Sequence, residues 1–134
     1  MNDKFQNLIT KHFMFLVKDF NAKCSGLTPY GATFESEEFI IRIGSDHGEL
    51  ILDIGTPDKK DTVYLNSVIK FKDPKAELKY LFIGLTDGEN EMESLASNLK
   101  KYGMEFLFGD FSNFESVKKK QTEEYEKWLS ERKH

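Results

Sequence analysis

The side chains that could bind a metal ion are few and far apart in this sequence. The histidines and the cysteine are His12, His47, His134 and Cys24. No two of them stand at the short spacing of a zinc motif. Asp46, Glu49 and Asp53 add carboxylates around His47, but Asp46 and Glu49 frame a predicted turn while Asp53 lies farther along a strand. We therefore predict no metal site.

Nucleophilic catalysis and phosphate binding also lack their residue patterns. A serine or cysteine nucleophile needs a histidine and an orienting acid, and no serine lies in a nucleophile-elbow motif. Gly26, Gly31 and Gly44 do not form a glycine-rich loop that leads into a helix. We expect Cys24 to be a small buried apolar residue. The sequence thus predicts no catalytic and no cofactor-binding residue, which favours a binding protein over an enzyme.

The charged residues are more informative. The chain of 134 residues has a formal net charge of −4 and a pI of about 5.4. This argues against nucleic acid as the main partner, because phosphate binding requires a basic stripe. Residues 32–62 carry a net charge of −5 and residues 84–98 a net charge of −4. A concentrated negative field favours association with a basic protein surface.

Length and composition indicate one globular domain over residues 1–134. The chain is 39% hydrophobic and 31% charged, and a chain of this size buries enough surface to form a core without disulfides. Its apolar runs are far shorter than the ~20 residues of a membrane span, and the first residues do not form a secretory signal. With a single cysteine, we expect a cytoplasmic protein without a membrane partner.

Hydrophobic periodicity predicts a helix followed by a sheet. Apolar residues recur at the i, i+3, i+4, i+7 spacing of an amphipathic helix, predicted over residues 3–21. From Ser25 to Thr56 the period changes to two and turn residues multiply, which predicts an antiparallel meander of three to four strands.

The second hairpin of this meander determines which side chains share a face. A two-residue turn at His47 and Gly48 places Arg42 opposite Asp53. The outward face then carries Thr33, Glu35, Arg42, Glu49 and Asp53, together with Ile40 and Ile51. Either a helix covers the two isoleucines, or they belong to a binding surface.

Three to four helices are predicted after the meander. A short helix begins near Asp61 or Thr62, and the dense apolar run from Leu78 to Ile83 is assigned to a further helix. A helical stripe then runs from Met92 to Leu107 and ends at Gly109. The last helix is predicted to bury one face, made of Phe114, Val117, Gln121, Tyr125, Trp128 and Leu129. The order of a helix, a meander and further helices indicates an α+β fold.

Several short segments also follow one another in an informative order. They are Leu16–Phe20, Pro29–Ser36, Phe39–Ile43, Leu50–Gly55, Tyr64–Ile69, Leu99–Gly103 and Leu107–Ser112. In this order the chain resembles small bacterial immunity proteins that accompany polymorphic or contact-dependent toxins. The resemblance implies a cytoplasmic protein that binds and blocks a cognate toxin domain, often a nuclease. It implies no catalytic residue, no cofactor and no transferable contact motif.

The charged residues of the predicted sheet are the expected toxin-binding surface. They are Glu35, Glu37, Glu38, Arg42, Asp46, Glu49 and Asp53. Neutralisation would occur by steric occlusion, assisted by electrostatic steering toward a basic toxin. The alternative is a small ligand-binding or enzymatic domain with a pocket between sheet and helices, where Tyr30, His47 and Asp53 are the polar candidates. A regulatory subunit bound through the C-terminal helix and Trp128 is a third possibility.

Overall fold

The computed structural model describes residues 4–58, 61–78, 80–83 and 87–132. Its elements, in chain order, are α1 (Lys4–Phe13), α2 (Phe15–Phe20), β1 (Lys23–Thr28), β2 (Gly31–Glu35), β3 (Ile40–Asp46), β4 (Glu49–Gly55), β5 (Thr62–Tyr64), α3 (Leu65–Lys72), α4 (Glu89–Tyr102), α5 (Met104–Leu107) and α6 (Phe114–Arg132). The predicted α+β fold is confirmed, with one strand more than expected.

The sheet is an antiparallel meander in the order β1-β2-β3-β4-β5. The turn between β3 and β4 has left-handed backbone angles at both central residues, with φ of 52° at His47 and 85° at Gly48. Turns of this kind match the right-handed twist of paired strands. The turn aligns Arg42 with Asp53, so the predicted register is confirmed.

One face of the sheet packs against helices α1, α3 and α4 and forms the core. The sheet residues on this face are Ala32, Phe34, Ile41, Ile43, Leu50, Leu52, Ile54 and Val63, all buried. Large aromatic side chains fill the space between the layers, and Phe13, Phe34 and Phe106 are almost completely buried. Burial of apolar surface at roughly 25 cal/mol per Å² makes this face the main source of stability.

The N-terminal helix is divided at Met14 into α1 and α2. Asn21, at φ of 57°, ends α2 in the left-handed conformation that asparagine tolerates. The position of the helix predicted over residues 3–21 is confirmed, but the structure has two helices there instead of one continuous helix. The side chains of Asn2 and Asp3 are of the types that can cap the start of this helix. Both residues lie outside the described residues.

The helix predicted across Leu78–Ile83 is wrong. Phe82 forms an isolated antiparallel bridge with Glu49. The Leu50 N–H donates to the Leu81 carbonyl at 2.8 Å, and the Ile83 N–H donates to the Gly48 carbonyl at 2.8 Å. The dense apolar run had no clear period because it lies along the edge of β4, where pairing with a distant strand determines its conformation.

The short helix after the meander begins later than predicted. Thr62 belongs to β5, and Ile54 pairs with Val63 across the sheet. Helix α3 then begins at Leu65. Asp61 also lies outside the helix, where its carboxylate is 3.2 Å from the Lys118 ammonium.

Burial was predicted wrongly for the end of α6 and for Cys24. In α6 the residues Phe114 and Val117 are buried, whereas Tyr125, Trp128 and Leu129 are exposed. Residues 122–132 are exposed without exception, so this part of α6 extends beyond the core. Cys24 is exposed as well.

The helical stripe predicted from Met92 to Leu107 is divided at Gly103, a residue of low helix propensity, into α4 and α5. Gly109 ends α5, as its position predicted, and allows the chain to turn toward α6. Its φ is +83°, and the Gly109 N–H donates to the Phe106 carbonyl at 3.0 Å while the Asp110 N–H donates to the Glu105 carbonyl at 2.9 Å. These are the two hydrogen bonds of a Schellman motif. A side chain at residue 109 would also collide with the Glu38 carboxylate.

Gly109→Ala should lower the free energy of unfolding by about 1–3 kcal/mol, because alanine is strained at this left-handed backbone, whereas the exposed Glu38 side chain can move aside. Urea denaturation followed by far-UV circular dichroism measures this change. Gly26→Ala is the matched control, since a Cβ there would meet only Thr33 atoms, the nearest at 3.9 Å. Equal midpoints for the two variants would contradict the assignment.

Candidate functional site

The outward face of the sheet contains a shallow depression of about 380 Å³. Thr33, Arg42, Ile51 and Asp53 line it, and so does Asp46 at the end of β3. Every residue that lines the depression belongs to strands β1 to β4. Within the described part of the chain, the centre of this sheet face is therefore left open by the helices.

The two outward isoleucines differ in their surroundings. Ile40 is buried, because the missing side chain at Gly55 leaves room for it and Thr62 packs beside that glycine. Ile51 is half-buried and lines the depression. Of the two alternatives for this face, no helix among the described residues lines the depression that contains Ile51.

The structure brings only part of the predicted contact set together. Arg42, Asp46 and Asp53 line the depression. Glu35 is on the same face, at the end of β2, while Glu37 and Glu38 are exposed in the connection between β2 and β3. Glu49 lines a different cavity, at the edge of β4.

Neighbouring elements also offset some of the negative charge counted in residues 32–62. Lys23 of β1, which lies outside this block, stands directly opposite Glu35. The acidic character of the sheet face is therefore weaker than the sequence count suggests.

Asp53 is the most perturbed carboxyl group of this face. Its Oδ1 is buried and has no hydrogen-bond partner among the described residues. Burial raises the pKa of Asp53 above its usual range, and the positive charge of Arg42 opposes that shift. The ionised form of the Asp53 carboxyl group therefore lowers the stability of the folded state.

A larger groove of about 770 Å³ lies at the edge of β4, between that strand, α3 and α4. Residues 76–78, 80 and 81 also line it. Buried side chains of the core line it from inside, among them Leu50, Leu65 and Leu95. Its volume is in the range of cavities that enclose a bound small molecule or a partner's side chains.

The polar lining of the groove is acidic and aromatic. It includes the carboxylates of Glu49, Glu77 and Glu93 and the rings of Tyr64, Tyr80 and Tyr102. No lysine or arginine is found among the described residues that line it. Glu49 comes from the acidic block of residues 32–62 and Glu93 from that of residues 84–98, so folding brings the two blocks to one cavity.

Sequence reasoning named a pocket between sheet and helices as an alternative but missed the residues that line this groove. The signal for it was the polar face of α4, where Asn90, Glu93, Ser94, Ser97 and Asn98 recur at helical spacing and all line the groove. Their position opposite the buried stripe of α4 could have been read from the sequence. The sequence could not show that this face borders the edge of β4, because that contact depends on long-range packing.

The polar residues of the alternative pocket hypothesis are not brought together. Tyr30 and His47 are exposed and line neither the groove nor the depression, and Asp53 lines the depression alone. Among the residues with described positions, no three histidine, cysteine, aspartate or glutamate side chains could hold a metal ion together.

Comparisons with known proteins found no matching family model, no matching curated protein and no matching solved structure. Within the described ranges, no helix has the length and apolarity to cross a bilayer.

Replacing Asp53 by asparagine should stabilise the protein at pH 7. The folded state binds the Asp53 proton more tightly than the unfolded state does, because the pKa is raised on folding. The ionised carboxylate therefore costs stability above that pKa, and the cost disappears as the pH falls below the unfolded value of about 4. Thermal unfolding of Asp53→Asn should show a Tm a few degrees above wild type at pH 7 and no difference near pH 3.

Asp46→Asn is the control for this comparison, since Asp46 is exposed and its neutralisation should leave the Tm nearly unchanged at both pH values. A lower Tm for Asp53→Asn at pH 7 would mean that attraction to Arg42 outweighs the burial of the carboxylate.

Proposed function

We propose that this chain is an immunity-type protein that binds a cognate toxin domain and blocks it by occlusion. The observation that carries the proposal is the open outward face of the sheet, where strand residues alone line the depression around Arg42 and Asp53. The order of sequence segments that resembles immunity proteins supports the same function.

Charge would guide the encounter. Glu37 and Glu38 are exposed where β2 joins β3, and Asp46 is exposed at the far end of β3. Exposed carboxylates at both ends of a sheet face attract a basic surface over a distance of about a Debye length, roughly 10 Å at 0.1 M salt. Binding then places the sheet over the toxin's working surface, which needs no catalytic group on this chain.

Ligand binding is the second candidate function, and the groove beside β4 is the observation that favours it. A cavity of about 770 Å³ is large enough for a small metabolite. A ligand that binds the folded state raises its stability by mass action. A rise in Tm with one compound of a metabolite panel would support this function.

Co-expression tests the proposed function directly. A laboratory bacterium would express the C-terminal domain of the protein encoded immediately upstream of this gene, with or without this chain. We expect the domain to stop growth and this chain to restore it. A harmless domain, or a toxic one that this chain fails to neutralise, would contradict the proposal.

The contact surface is tested by reversing three of its charges, as Glu37→Lys, Glu38→Lys and Asp46→Lys together. Association with the toxin domain should slow about tenfold at low salt and lose most of its salt dependence, because electrostatic steering acts on the on-rate. Stopped-flow fluorescence with a dye-labelled toxin domain measures both effects. Glu123→Lys, Glu124→Lys and Glu126→Lys on the exposed part of α6 change the charge equally, and an equal loss there would remove the sheet face from the interface.

A further inference from the structure

We infer that the groove beside β4 receives a lysine- or arginine-bearing extended segment of the partner protein. This inference rests on the proposed function, because the partner concerned is the toxin domain. It adds a second contact with the partner, at the edge of the sheet and not on its face. It also specifies the chemical class of the segment that enters the groove.

Charge selects a cation for this groove. Glu49, Glu77 and Glu93 line it without a lysine or arginine among its described lining residues. Lys11 interacts electrostatically with Glu93, but its ammonium lies 2.6 Å from the Glu89 carboxylate and forms its ion pair there. Three carboxylates around one cavity repel one another. A guanidinium or ammonium group that enters relieves this repulsion and donates charge-assisted hydrogen bonds to the carboxylates.

The apolar and aromatic lining suits the rest of such a side chain. Leu50, Leu65 and Leu95 offer apolar surface to the methylene stem of a lysine or arginine. The rings of Tyr64 and Tyr80 are 50% and 72% exposed and can stack on a guanidinium plane. Tyr102 already interacts in this way within the chain, since the Lys101 ammonium lies 5.1 Å from its ring centroid.

The backbone of β4 leaves little of its edge for the occupant to pair with. β4 is paired with β5 at Asp53–Gly55 and bridged to Phe82 at Glu49. Between these contacts Ile51 and Leu52 line the groove. This gap is too short for a full added strand, so the side chains of the occupant, and not a long backbone ladder, must provide most of the recognition.

The groove also continues the proposed contact face. Ile51 lines both the groove and the depression on the outward face of the sheet. A partner that covers Arg42 and Asp53 can therefore extend a segment past β4 into the groove without leaving the surface. The polar face of α4, with Ser94 and Ser97, offers hydrogen bonds to the backbone of that segment.

The test uses a fluorescein-labelled hexapeptide of alternating arginine and valine, and the same peptide with glutamate in place of arginine. Fluorescence anisotropy at 50 mM salt should give a Kd on the order of 100 μM for the arginine peptide and no binding of the glutamate peptide. The double variant Glu49→Gln, Glu93→Gln should weaken binding of the arginine peptide at least about fivefold.

Two further variants keep the result interpretable. Glu123→Gln with Glu126→Gln makes the same charge change on the exposed part of α6 and should leave the Kd unchanged. Glu77→Gln lies outside the helices and strands and should weaken binding by a smaller factor even if the double variant fails to fold. Binding of both peptides, no binding of either, or equal losses in the groove and α6 variants would overturn the inference.

Growth rescue separates this inference from the proposed function. Rescue by wild type, with the double variant binding the toxin domain as tightly as wild type does, overturns the groove contact and leaves the function standing. Failure of wild-type rescue, together with groove-dependent binding of the arginine peptide, overturns the function and keeps the groove as a site for cationic segments.

Discussion

The register of the β3–β4 hairpin is the constraint on which the rest of the structure depends. The left-handed angles of His47 and Gly48 close a two-residue turn, and this turn decides which side chains point to the helices. A slip of one residue would move Ile43 to the outside and bring Arg42 into the core. One tight turn thereby separates the face that packs against the helices from the face that contains the depression.

Much of the fold could be predicted because its periods are sustained over several turns or strands. The sheet register followed from the residue types at one turn, and the end of α5 followed from Gly109. The run from Leu78 to Ile83 could not be assigned in this way, since its conformation depends on hydrogen bonds to Gly48 and Leu50. Local propensity carries no information about such a distant partner.

Burial at the C-terminus shows a different limit. An apolar stripe at helical spacing predicts which side chains share one face of a helix. It does not predict whether another element packs against that face. Phe114 and Val117 meet the core, whereas Trp128 extends past it. The candidate site shows the same limit for charge, because a count along the chain omits Lys23 opposite Glu35 and does not place Glu49 beside the cavity that Glu93 also lines.

The position of Trp128 determines what the intrinsic fluorescence of this protein can report. It is the single tryptophan of the chain, and it stacks on Tyr125 with ring centroids 6.1 Å apart while the Arg132 guanidinium lies 4.3 Å from its ring. Its indole is already in contact with water in the folded state, so its emission responds to the end of α6 and only weakly to the loss of the core. A fluorescence melting curve would therefore follow the fraying of one helix, and a change in emission on complex formation would mean that the partner reaches α6.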